Sequence, residues 1–63
     1  MNMNEERYEA SMNCAKLYHD GMISFDTKDR IVKDIAQTTG YTYFDISIEV
    51  ERLITMFADG ELV

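Results

Sequence analysis

Ile46, Val50, Leu53, Ile54 and Phe57 recur at steps of four, three, one and three residues, the repeat of an α-helix that buries one side. This stripe predicts a helix over 42–58, about 25 Å long at 1.5 Å per residue. Thr42 is placed to cap it, Asp45 follows three residues on as a shortened capping box, and Gly60 stops it. A second stripe, Ile31, Val32, Ile35 and Ala36, predicts a helix over 27–39, capped by Asp26 or Thr27 and ended by Gly40. Lys28, Asp29, Arg30, Lys33 and Asp34 fill the rest of that helix and read as its solvated face. Residues 4–20 read as a further helix, with Asn4 as N-cap, Glu5 and Glu6 at the positive end of its dipole, and Gly21 as terminator. Its apolar side chains fall on two adjoining lines, Tyr8, Met12, Ala15, His19 and Ala10, Cys14, Leu17. A face that broad suits a helix covered from more than one direction.

Two short segments stand outside these helices. Met22, Ile23, Ser24 and Phe25 suit a short strand or extended connector, and Leu62 and Val63 give 61–63 the apolar content to pair with it. The fold expected is therefore mostly α, a single domain of three helices with a short two-stranded β-ribbon.

Composition sharpens this. At 63 residues the chain buries only about 60% of the surface its unfolded form exposes, and small domains usually need a staple. A lone Cys14 forms no internal disulfide, and one histidine offers no metal cage. The staple left over is a partner. Apolar residues at 46% are too many for a disordered chain, and no run approaches the ~20 that span a membrane. The first residues lack the basic flank and apolar stretch of a signal peptide. A single free thiol points to a reducing, cytoplasmic setting.

The segment from Ile35 to Ile46 resembles the helix-turn-helix core of bacterial and phage regulators. Ala36 is the small residue that lets two helices approach, Gly40 takes the positive φ of the turn, and Ile46 fills the angle between the helices. Val50 and Leu53 continue the core face as that family does, while Thr39 and Glu49 stand where it usually has apolar residues. The order helix, short strand, helix, turn, helix, short strand is similar to a winged helix-turn-helix domain without its wing. The resemblance implies that the third helix presents Thr42, Tyr43, Phe44, Ser47, Ile48 and Glu51 outward, where DNA-binding members read the major groove.

None of those six residues is basic. The net charge is −6, and residues 34–63 hold six acidic side chains against Arg52 alone, so phosphates are repelled and the counterion-release contribution to affinity is lost. What stands outward instead is apolar. Tyr41, Phe44 and Ile48 form a ridge rimmed by Asp45, Glu49 and Glu51, the make-up of a protein contact. The alternative is that Phe44 and Ile48 pack under the first helix and enlarge the core. His19 with Asp20 tempts a metal or proton-shuttle reading, but no further ligand completes a set and the helix dipole accounts for His19. Cys14, on the apolar side, reads as a structural thiol. No catalytic, cofactor or metal site is expected.

The leading expectation is a small acidic module that binds another protein through Tyr41, Phe44, Asp45, Ile48, Glu49 and Glu51. Its size and charge resemble those of phage and mobile-element accessory proteins, which suggests an inhibitor occupying a host protein's nucleic-acid-binding surface. The alternative is a dimeric helix-turn-helix DNA-binding regulator, gripping phosphates with Lys28, Arg30 and Lys33. A homodimer through the Phe44 and Ile48 ridge is a third.

Overall fold

In the computed structural model, which describes residues 3–62, the chain is mostly α: α1 (Met3–His19), α2 (Phe25–Thr39) and α3 (Tyr43–Ala58). The α2–α3 joint is set by local chemistry. Gly40 takes φ +79°, and its N–H closes on the Ala36 carbonyl at 3.0 Å. Left-handed backbone of this kind disfavours any residue with a Cβ. Two residues later Thr42 is extended and its Oγ1 accepts the Asp45 N–H at 3.0 Å, as the expected cap does. Thr39 turns its hydroxyl back onto the Ile35 carbonyl at 2.6 Å, so a polar residue sits at this joint with its donor satisfied.

The expected ribbon is not formed among the described residues. Met22 and Ile23 lie in a bend, and Ser24 is the cap of α2, accepting the Thr27 N–H at 3.2 Å. Phe25 is thereby the first residue of the helix rather than the last of a strand. Ser24 captures the cap two residues ahead of Asp26 and extends α2 backwards. After α3, the Glu61 N–H folds back to the Met56 carbonyl at 2.9 Å, and Leu62 packs against the core without a ladder partner. Val63 lies outside the described residues. Asn4, expected to cap α1, lies inside its first turn.

Contacts fix how the helices run. Arg7 meets Glu49 and His19 stacks on Phe57, ring centroids 5.9 Å apart, so α1 and α3 advance in the same direction. Cys14 lies against the Lys28 carbonyl, while Glu6 and Ala10 share a groove with Ile35 and Thr38, so α2 runs against α1. The core is Cys14, Ala15, Val32, Ile35, Ala36, Ile46, Val50 and Leu53. α1 contributes the small ones, with Ser11 fully buried beside them. Small side chains bring the helix axes close, and Val32, Ile46 and Val50 fill the space between them. Burying Ile46 completely is worth about 1.5–3 kcal/mol.

Two polar assignments change. The buried line of α1 is Ser11, Cys14 and Ala15, while Tyr8 and Leu17 are exposed, so the α1 stripes do not both face inward. Lys28 is not on a solvated face. Its side chain is 5% exposed, with Nζ 2.8 Å from Glu51 and over the Phe25 ring at 4.4 Å. The long aliphatic stem lies buried while the ammonium reaches a carboxylate at the rim.

Candidate functional site

The outward side of α3 answers the question the sequence left open about Phe44 and Ile48. Phe44 is 67% exposed and Ile48 38%; one helical turn apart, they stand side by side on the surface. Tyr41, expected beside them, belongs elsewhere. It is half-buried against the core, under the Arg7 guanidinium at 4.7 Å, with its hydroxyl bonded to Asn4. Tyr43 is exposed, and its hydroxyl donates to Asp29 while Lys33 lies over its ring.

The three carboxylates expected to rim the ridge divide. Asp45 is exposed and carries no ion pair among the described residues. Glu49 is half-buried and accepts two bonds from Arg7, at 3.1 and 3.0 Å. That fork geometry is the strong form of the arginine–carboxylate pair, and it explains how a polar residue is accommodated at an inward-leaning position of α3. The hydrogen bond to Glu49 also makes the Arg7 guanidinium still harder to deprotonate. Glu51 accepts from Lys28. Two of the three carboxylates are thus neutralised from within.

The cations named for a DNA contact are also dispersed. Lys28 is buried, Lys33 pairs with Asp29 at 3.2 Å, and Arg30 alone of the three is exposed without an ion pair among the described residues. Asp29 is held below the usual carboxylate range, first by the Tyr43 hydroxyl and then by Lys33, and the same bond pushes the Tyr43 phenol up.

What sequence reading missed is the contribution of α1. Tyr8 is 41% exposed and lines a groove of about 260 Å³ with Ile48, Glu49, Arg52, Leu53 and Met56. Tyr8 also lines two neighbouring concavities, one with Glu9 and Met12 and the other with Glu5 and Glu9. Tyr8 had been counted on the inner stripe of α1, and only the depth of the small Ser11–Ala15 line turns it outward. Nothing in the sequence marks it, because Tyr8 lies one turn from Ser11 and two turns from Ala15, both fully buried.

The groups that tempted a catalytic reading are engaged structurally. Asp20 accepts from Lys16 at 3.0 Å and contacts His19 at 3.2 Å, and these bonds, Lys16 foremost, lower its pKa. Cys14 is buried, and burial pushes its thiol up. Among the described residues, no group of three or more metal-ligating side chains comes together, and no helix is long and apolar enough to cross a membrane. The arrangement as a whole offers exposed aromatic and aliphatic surface with carboxylates beside it, the means to desolvate against a complementary surface. No family model matches the sequence, and no curated protein or solved structure matches the chain.

Proposed function

We propose that the chain is a small acidic protein-binding module that engages its partner through the outward side of α3. The observation that carries this reading is the exposure of Phe44 and Ile48 on adjacent turns. Two large apolar side chains held in water beside Asp45 lose that exposure on contact with another protein, and aromatic residues in such positions commonly dominate binding energy. The scaffold belongs to the same proposal. A helix-turn-helix relation of α2 and α3 is supported by buried Ala36, left-handed Gly40 and fully buried Ile46, the three positions on which that resemblance rests. In this reading the face that reads bases in DNA-binding relatives is given over to protein. The module acts as an inhibitor or regulator in a phage or mobile-element setting, lying over a partner's nucleic-acid-binding surface.

The DNA-binding alternative draws less support. Of Lys28, Arg30 and Lys33, the first is buried and paired and the last is paired, leaving no basic stripe to release counterions. A low-salt gel shift compares the two readings directly, and tight binding of duplex DNA overturns the first. The positive test is a pull-down from the native host with wild type and Phe44→Asp. Both side chains are exposed, so the variant's unfolding should stay within about 0.5 kcal/mol of wild type. A partner held equally by both proteins defeats the proposal.

A further inference from the structure

The groove between α1 and α2 is built without α3. Glu6 and Ala10 line it from α1, and Ile31, Asp34, Ile35, Thr38 and Thr39 from α2. Ala10, Ile31 and Ile35 make an apolar floor, the last buried and the other two half-buried. Glu6 and Asp34 are exposed, and neither enters an ion pair among the described residues. No cation is in the lining. Thr39 spends its hydroxyl donor on the Ile35 carbonyl. Arg30, the nearest unpaired arginine along α2, precedes Asp34 by four residues. At about 100° per residue it stands some 40° further round the helix, on the far side of Asp34 from Ile31.

We propose that this groove seats an arginine side chain presented by a basic segment of a partner protein. The aliphatic stem lies on Ala10, Ile31 and Ile35, and the guanidinium faces Glu6 and Asp34. The proposal adds a second contact face to the protein-binding reading above, and it stands or falls separately from the α3 face. Size and charge together select the occupant. The groove encloses about 270 Å³, below the roughly 300–1,000 Å³ of clefts that bury a small organic ligand but ample for one long side chain. A purely apolar side chain would cover the floor while drawing water away from two carboxylates without replacing its hydrogen bonds. An acidic one is repelled by both. Arginine answers both parts of the lining, because its stem packs against apolar surface while its head stays charged at the rim. Its planar fork carries five donors for the two carboxylates and the Thr38 hydroxyl oxygen, where lysine brings one compact, strongly hydrated ammonium. Surfaces that bind nucleic acid are supplied with such arginines, so the groove suits the class of partner proposed above. A second copy of this chain is a poor source, because two molecules of net charge −6 repel each other.

The test titrates the full chain, at about 50 mM salt, with an eight-residue glycine–serine peptide bearing one central arginine, up to about 5 mM. Amide shifts in heteronuclear NMR give both the site and the affinity. Shifts should cluster at Glu6, Ala10, Ile31, Asp34 and Thr38. Replacing the arginine with citrulline, which keeps the shape and removes the charge, should weaken binding at least tenfold. Shortening its stem by two methylenes at constant charge should weaken it about tenfold, the effect of taking two methylenes off an apolar surface. Glu6→Gln with Asp34→Asn should weaken the arginine peptide at least tenfold, while Glu5→Gln with Glu9→Gln, an equal change of charge outside the groove, should leave it within twofold. All four side chains are exposed, so both double variants should keep the wild-type Tm within a few degrees. Equal losses in the two double variants mean diffuse attraction to an acidic protein and overturn the inference. So do a citrulline peptide that binds as well as arginine, and the absence of any shift at 5 mM. Shifts centred on Phe44 and Ile48 overturn the groove and leave the α3 reading in place. A wild-type oligomer in sedimentation that Arg30→Gln or Arg52→Gln dissolves also overturns it, since the arginine is then this chain's own.

Discussion

The Lys28–Glu51 pair joins α2 to α3, and its two ends sit in different surroundings, so the two obvious substitutions should have unequal effects. The Lys28 side chain is 5% exposed and that of Glu51 59%, with 2.8 Å between Nζ and Oε1. Glu51→Gln removes the charge of the partner but leaves the ammonium in place, close to the Phe25 and Tyr18 rings at 4.4 and 5.3 Å. A fully buried ion pair broken on one side loses about 3–5 kcal/mol, and an exposed pair is worth about 0–1. With Glu51 largely in water, the effect of Glu51→Gln should fall nearer the lower range, about 1.5 kcal/mol. At this chain length that lowers Tm by about 6–12 °C. Lys28→Met keeps an unbranched stem of similar length in the same space and strands no charge, so it should cost less than 1 kcal/mol or even stabilise. Thermal and urea unfolding of the two single variants and the double variant give a complete cycle. The double variant should resemble Lys28→Met, with a coupling near the full Glu51→Gln effect, about 1.5 kcal/mol. A coupling within about 0.3 kcal/mol of zero, or a Lys28→Met protein less stable than Glu51→Gln, refutes the reasoning. The pair also carries a warning for binding work, since a Glu51 variant changes stability as well as surface charge. Asp45 makes no such ion pair among the described residues.

Three further outcomes are expected. Ser11 is fully buried and its Oγ finds no hydrogen-bond partner among the described residues, so Ser11→Ala should raise stability by about 1 kcal/mol in urea unfolding, and a fall would show that the hydroxyl is satisfied. Gly40→Ala meets no atom within 4 Å of the added Cβ, so its loss of about 1–2 kcal/mol comes from the φ of +79° alone; an unchanged Tm sinks that account. Asp29 has a lowered folded pKa, so its contribution is complete above about pH 4, the unfolded value, and is lost as acid protonates the folded state. Tyr43→Phe should therefore raise the Asp29 midpoint in carboxyl NMR titration and flatten the acid limb of stability; a midpoint that stays put shows that Tyr43 is not its main cause.

How much of this was legible in the sequence differs by element. α3 was readable because its apolar residues keep one side over about three turns, and the joint before it because Gly40 and Thr42 each have one dominant local role. The span of α1 was readable too, and Cys14 and Ala15 lie on its expected apolar lines, but Tyr8 and Leu17 on those lines are exposed and Ser11, outside them, is buried. Hydropathy ranks Leu17 above Ser11, the reverse of their burial. Lys28 was misplaced for a related reason, since a charged letter marks only the tip of a side chain whose stem is apolar. The segment around Phe25 was too short for periodicity to decide, and the Ser24 cap settled it. The candidate site was half visible. Whether Phe44 and Ile48 stand outward or enlarge the core was open from spacing alone, and the wall supplied by Tyr8 required knowing that α1 and α3 run alongside each other.

The small side chains of α1 have a kinetic consequence. A helix whose apolar residues are spread around its circumference has no sticky side with which to begin collapse, so by itself it recruits nothing. α2 and α3 are different: each has a defined apolar stripe, and only Gly40, Tyr41 and Thr42 separate them, so closing that loop loses little chain entropy. Folding should accordingly start from the α2–α3 corner, with Val32, Ile46 and Val50 meeting early and α1 settling onto them afterwards. The wall of the groove that bears Tyr8 is then the last part of the molecule to be built.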